Sequence, residues 1–234
     1  MINLKNKLIK ILSNRKTVKN ENLKHLEVNG NKISEFIVSK ILPVVGYKPF
    51  PVHEIMLMVS AVAAVKPNLI IEWGTNIGKS ARIFYESVTF LGYKTEIHSI
   101  DLPKNISHLE HPGSKRGLLV KNLKNVFLYE DDGLTKAQDI ICNCPKYLSF
   151  LIFLDGDHNY KNVYRELSTL SKLSPQASFL IHDTFFQSKE AGYNTGPYRA
   201  IKKFLNGKKE KYNYYFSGLC LPGMTFLKSR FNRK

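Results

Sequence analysis

The chain has 234 residues, 43% apolar and 23% charged, which suits one globular domain with an appendage and excludes wholesale disorder. Its longest apolar run, residues 55–65 (IMLMVSAVAAV), spans eleven positions, well short of the about 20 that a membrane-crossing helix needs. The net charge is +16 and uneven: residues 1–50 carry ten Lys and Arg against three Glu, and 199–234 carry ten against one, while the two signs cancel in between.

Two readings of the basic ends stand. They could attract anionic membrane, nucleic acid or an acidic partner, with residues 1–20 as a peripheral membrane contact. The preferred reading is compositional, because 28 Lys stand against 7 Arg and Arg is the residue that recognises phosphate bidentately. The N-terminus lacks the uninterrupted apolar core of a signal peptide. Three cysteines (Cys142, Cys144, Cys220) cannot staple a chain of this length, and an odd count suits a reducing compartment. The expected location is the cytoplasm.

The first 40 residues read as helical, with Leu4, Leu8, Ile11 and Leu12 along one face. Pro43, Pro49 and Pro51 then break the chain into an extended joint. His53 to Lys66 is apolar nearly all round, as a helix buried on most sides would be. From there short strands alternate with helices: Leu69–Glu72, a helix from Gly78 to about Phe90, Thr95–Ile100, Val126–Tyr129, Phe150–Leu154, a helix with Val163, Leu167 and Leu170 inward, and Phe179–Ile181. Such alternation specifies a parallel sheet covered on both faces. A helix near Tyr198–Leu205 precedes Tyr212–Phe216 and Met224–Leu227, close enough together to form an antiparallel hairpin. The division expected is a basic helical extension over 1–50 and a ligand-binding domain over 51–234.

All five parallel strands have an acid at or just after their carboxyl end: Glu72, Asp101, Asp132, Asp155 and Asp183. Ligands of open parallel sheets bind beyond those ends. The first turn, Glu72 to Ser80 (EWGTNIGKS), is not a P-loop, because Gly74 and Gly78 enclose three residues where four are needed. Nor is it a dinucleotide fingerprint, since Asn76 stands at the middle glycine. What remains is acid-x-Gly-x-x-x-Gly, a turn whose backbone approaches a ligand and whose acid receives a positive group.

This turn, the acids closing the second and third strands and the terminal hairpin resemble the class I S-adenosylmethionine-dependent methyltransferases. The stretch Leu154-Asp-Gly-Asp-His-Asn-Tyr160, with Val163, Glu166 and Leu167, followed by Ile181-His-Asp-Thr184, is similar to the small O-methyltransferases related to cephalosporin-biosynthesis and sugar enzymes. The resemblance spans about residues 53–228. It implies a Rossmann-like doubly wound sheet of seven strands, mostly parallel, with a C-terminal antiparallel hairpin. It implies S-adenosylmethionine as cofactor, methylating a hydroxyl on a small molecule or saccharide.

By the same resemblance Glu72 and the turn Gly74, Thr75, Asn76, Gly78 and Ser80 hold the methionyl end. Asp101 accepts the ribose hydroxyls, Asp132 lies near the adenine amino group, and Asp155 completes the contacts. Asp155, His182 and Asp183 are the candidate ligands for a divalent metal (Mg, Mn or a softer ion), although His182 stands where metal-dependent relatives carry an acid or amide; structural pairing is the alternative. His158, with Asp155, is the catalytic candidate, since imidazole takes a proton near neutral pH; its alternative is a pairing with Asp155 or Asp157. His108 and His111 read as part of a loop over the cofactor. Phe185, Phe186, Tyr193 and Tyr198 read as pocket walls or core. Two rivals remain, a nucleic-acid methyltransferase and a non-catalytic membrane-docking protein with the same fold. Against the first, no Asn/Asp-Pro-Pro-Tyr/Phe motif is present.

Overall fold

Apolar runs of five or six residues bounded by turn residues are of strand length, and here they form a sheet. The computed structural model describes residues 28–106, 113–185, 195–217 and 221–231. Leu4, Leu8, Ile11 and Leu12, as well as His108, His111, Phe186, Tyr193 and Cys220, lie outside the described residues. The strands are β1 (Leu69–Trp73), β2 (Glu96–Asp101), β3 (Val126–Glu130), β4 (Phe150–Leu154), β5 (Ser178–His182), β6 (Tyr212–Ser217) and β7 (Met224–Ser229), in the spatial order β3-β2-β1-β4-β5-β7-β6. The first five are mutually parallel. β7 inserts antiparallel between β5 and β6, so the C-terminal hairpin extends the sheet through its second strand.

Every residue of β1, β4 and β5 is buried, as befits strands covered on both faces. Alternate side chains divide between two cores. Ile70, Leu151, Phe153, Leu180 and Phe226 meet the N-terminal helices, and Ile71, Ile152, Phe179, Ile181 and Leu227 meet the helices of the second half. On the first face lie α1 (Gly30–Phe36), a π-helical turn (Ile37–Ile41), α2 (Leu42–Val45), α3 (Val52–Val65) and α4 (Lys79–Leu91). Pro43 does not break the chain. It follows directly on the π-helical turn within an unbroken helical run, and Gly46 at φ +70° ends the segment. Ile33, Phe36, Ile37, Ile41 and Val45 join the same core as α3 and α4.

The second face is covered by α5 (Gly133–Cys142), α6 (Tyr160–Leu173) and α7 (Gly196–Leu205). No sequence reading above contained α5. Its signal is an Asp132 N-cap, with Oδ1 accepting from the Thr135 amide, followed by inward Leu134, Ala137, Ile140 and Ile141. No helix among the described residues is long and apolar enough to cross a membrane. β1 pairs with β2 on one side and β4 on the other, so the chain changes winding direction at β1 and opens a crevice at the carboxyl ends of these strands.

Candidate active site

Glu72 closes β1 and is fully buried. The Ser99 hydroxyl on β2 donates to its Oε1 at 2.5 Å, and Thr75 Oγ1 lies 2.7 Å from Ser99 Oγ. Oε2 is buried with no hydrogen-bond partner, while the Ser80 side chain also bears on the carboxylate. Burial raises the Glu72 pKa to about 7, against the hydrogen bonding of Ser99 and Ser80 and with the help of the charges on Asp155 and Asp101. An orphaned carboxylate oxygen in a crevice has one obvious complement, a group that is positive and donates hydrogen bonds. The protein thus fits the cationic end of a donor at this position. Thr75, expected as a direct contact, is buried and turned to Ser99; it props the hydroxyl that holds Glu72.

The turn after β1 has Gly74 at φ +90° and Gly78 at φ +91°, with Asn76 left-handed at φ +46° between them. At Gly74 the space that a Cβ would take is filled by the chain itself, by the Asp155 carbonyl oxygen. At Gly78 the Val120 side chain and the Gly117 backbone lie at 3.0 and 3.3 Å. These two glycines let the ends of β1 and β4, and the turn and residues 117–120, approach closely.

Asp101 ends β2 with both oxygens engaged by backbone amides, Asn76 N to Oδ2 and Leu102 N to Oδ1, each at 2.9 Å. Arg116, absent from the sequence reading, lies behind it: Nε is 3.7 Å from Asp101 Oδ2, Nη1 is 3.1 Å from Glu130 Oε1, and Nη2 donates to the Leu102 carbonyl. Each carboxylate oxygen of Asp101 keeps a further acceptor site for a hydroxyl. Asp132, expected beside the adenine, is exposed and its Oδ1 is occupied by Thr135, through the amide at 2.8 Å and the hydroxyl at 2.6 Å.

The ends of β4 and β5 carry the densest cluster. One ligand atom from each of Asp155, His182 and Asp183 lies within 4.8 Å of the others, so the three candidate ligands do converge. Glu54, which the sequence reading missed, joins them. It is a buried acid on the mostly apolar α3, its Oε1 accepting from the Gly223 amide at 2.7 Å. His182 lies between the two acids, Nδ1 at 2.8 Å from Asp155 Oδ1 and Nε2 at 3.1 Å from Glu54 Oε2. Burial works against charge on the ring, but Asp155, then Glu54 and Asp183, outweigh it and hold the pKa well above 6.5. The three could hold a divalent ion through His182 Nδ1 and the two aspartates, with Glu54 on the other ring nitrogen as an outer acid does beside a metal-bound histidine.

Asp183 adopts φ +54°, an uncommon conformation outside glycine. Its Oδ2 lies 3.1 Å from His158 Nε2. His158 therefore pairs with Asp183 across the crevice, and neither Asp155 nor Asp157 takes that place. Asp157 instead accepts from the Asn159 amide and the Asn162 side chain. Phe185 is half-buried after β5, and Tyr198 on α7 lies under the Lys202 ammonium.

Residues 49–218 match the model of a family described as rhamnosyl O-methyltransferase/CmcI. No curated protein matches the chain. Among solved structures the chain is similar to the SAH-bound methyltransferase PaMTH1 of Podospora anserina, at 18% identity and TM-score 0.54 over 86% of this chain and 88% of that one. It is also similar to an O-methyltransferase from Bacillus cereus in complex with SAH, at 15% identity and TM-score 0.55, over 88% and 93%. A third is CalS11, a TDP-rhamnose 3'-O-methyltransferase of calicheamicin biosynthesis, at 15% identity and TM-score 0.54, over 95% and 92%. At these identities the likeness establishes the fold, the seven-stranded class I methyltransferase sheet.

Proposed function

The chain belongs to the rhamnosyl O-methyltransferase/CmcI family, and from that premise we propose that it methylates a saccharide hydroxyl with S-adenosylmethionine as donor, His158 taking the proton. The donor assignment is supported by the unpartnered oxygen of Glu72 and by the SAH in the Podospora and Bacillus structures. The acceptor class is supported by the family description and by the TDP-rhamnose substrate of CalS11.

The donor, when bound, supplies an electrophilic methyl carbon on a sulfonium. The protein's own work is to hold, orient and deprotonate. Glu72 receives the positive amino-acid end, and the turn from Gly74 to Gly78 presents backbone to it. Asp101 offers its remaining acceptor sites to the ribose hydroxyls. Asp183 accepts from the Nε2–H of His158 and so fixes the ring, leaving the Nδ1 lone pair as the proton acceptor. An acceptor hydroxyl gives its proton to that nitrogen as its oxygen becomes nucleophilic, and Asp183 stabilises the imidazolium that results. His158 is 28% exposed, so an acceptor can reach it from solvent.

The carrying observation is the His158–Asp183 contact at the same carboxyl end of the sheet as the orphaned oxygen of Glu72. His158→Gln should lower kcat by about two orders of magnitude or more while leaving donor affinity unchanged in calorimetry. Turnover is read as label transferred from S-adenosylmethionine to a panel of free and nucleotide-linked sugars. Full activity in the variant removes the base. A loss of donor binding moves His158 into the donor pocket instead.

A further inference from the structure

We infer that Trp73 is a positioning residue of the donor site: its indole, fastened by Glu166, sets where the turns Asp132-Gly133 and Asp155-Gly156 stand and so shapes the adenosyl side of the crevice. This rests on the transferase reading above for the identity of the donor, whereas the seating of both turns on the indole is independent of it.

Gly133 opens α5 and Gly156 follows β4, and neither has the positive φ that calls for glycine at Gly74 and Gly78. Within a helix glycine is among the least favourable residues, so the backbone gives no reason for Gly133. The reason at both positions is Trp73. A Cβ on Gly133 would stand 2.5 Å from Trp73 Cγ, and one on Gly156 would stand 2.6 Å from Cδ1. The two turns thus rest on the same edge of the indole. Trp73 closes β1 opposite Ile100 of β2 and Leu154 of β4, at the strand where the winding direction changes. It stands between Glu72 and Gly74 in the chain, and Asp155, whose carbonyl fills the Cβ place of Gly74, precedes Gly156. The turn that receives the positive end of the donor and the turns beyond β3 and β4 therefore meet at one side chain.

α6 fixes the orientation of the indole. Its Glu166 accepts a hydrogen bond from the Trp73 side chain, and the two residues are each 6% exposed. Indole has one polar atom, an N–H that only donates. At this depth an unmade bond costs more than a made one gains, so Glu166 selects the ring orientation that reaches it and disfavours the flipped one, which would carry Nε1 away. Burial, with the charges of Asp157 and Asp132, pushes the Glu166 pKa up to about 8 against the Trp73 hydrogen bond and Arg165. At neutral pH the acid therefore holds the ring largely without adding a charge beneath the crevice.

Trp73 is the sole tryptophan of the chain, so intrinsic tryptophan emission reads this ring alone. S-adenosylhomocysteine, which needs no acceptor, is titrated into the full-length chain by calorimetry and by emission. In the wild type the emission should change saturably with the calorimetric Kd; emission that stays constant while the calorimeter shows saturation overturns the inference. Glu166→Leu leaves the indole N–H without an acceptor and should weaken binding by at least about tenfold, with a shifted emission before any ligand is added. Glu166→Gln keeps an acceptor oxygen and should bind as the wild type does. Unchanged affinity in the Leu variant, or equal losses in the Leu and Gln variants, overturns the positioning role, because a loss shared by both follows the acid and not its hydrogen bond. If Glu166→Leu does not fold, Trp73→Phe, which keeps an aromatic ring and deletes the N–H, takes its place in calorimetry with the same loss expected. A wild-type chain that binds no S-adenosylhomocysteine refutes the donor reading and this inference with it. Binding accompanied by any of the overturning results removes the role of Trp73 and leaves the donor reading standing.

Discussion

At Glu72 the needs of folding and of binding oppose each other. Burial favours the neutral acid and lifts its pKa to about 7 from a usual 4.5, whereas a cationic ligand needs the anion. A carboxyl raised in the folded state stabilises the fold below about pH 4.5, and that contribution is lost as the pH rises through 7. Donor binding has the opposite sign, because below pH 7 the ligand must first displace a proton. The dissociation constant for S-adenosylmethionine should therefore fall by up to about tenfold per unit between pH 5 and 7 and level off above. Calorimetry at pH 5.5, 6.5 and 8 measures it, and a flat profile contradicts the assignment. Glu72→Gln should bind weakly with no such slope. This residue was legible in the sequence because it precedes the turn glycines, and Asp155, His158, His182 and Asp183 were legible as strand-end or near-end groups. Ser99, Glu54 and Arg116 were not. A serine within a strand and a single acid within an apolar helix reveal themselves only when distant segments meet, and Glu54 is 128 residues from the ring it holds.

Among the elements, the strands repay reading most. The run Phe150–Leu154 matches β4 residue for residue, and the other expected strands differ by one or two residues at their ends. Their signal is local, a short apolar run bounded by turn residues. The insertion of β7 between β5 and β6 was beyond reach, since pairing across the sheet is decided by which edge remains uncovered. The joint between β1 and β4 shows what such pairing demands. Gly74 must be glycine because the Asp155 carbonyl occupies the place of its Cβ and because φ is +90°. Gly92 is a control, at φ +70° with nothing within 4 Å of a Cβ. Gly92→Ala should cost only backbone strain, about 1 to 2 kcal/mol. Gly74→Ala adds a backbone clash that no rotamer relieves, and should cost roughly 3 kcal/mol or more in urea unfolding. It should also displace Asp155 from His182. Equal losses in the two variants show that β4 yields easily at this point.

On the scale of the whole molecule, the basic ends and the neutral middle suggested an extension over residues 1–50 attached to a domain. Residues 28–45 take part in the main core. Ile33, Phe36, Ile37, Ile41 and Val45 are each at most 5% exposed and share one cluster with Val59, Phe84 and Phe153. Phe36 stacks on Phe90 of α4 with centroids 4.2 Å apart. Burying a side chain of this kind stabilises a fold by roughly 1.5 to 3 kcal/mol. Five together approach the about 5 to 15 kcal/mol by which a whole domain is stable. The same segment lies on α3, which carries Glu54, so its removal loosens the acid that positions His182. A chain beginning at residue 47 should therefore lose its cooperative thermal transition or melt more than about 15 °C lower, and should bind S-adenosylmethionine poorly. A chain beginning at residue 28 retains every one of these contacts, and the comparison of the two by calorimetric melting isolates the helices from the charge. Two similar melting curves would mean that α1 to α2 lie on the core without supporting it, and that the sheet with its remaining helices folds as the domain over 51–234 that the charge distribution suggests.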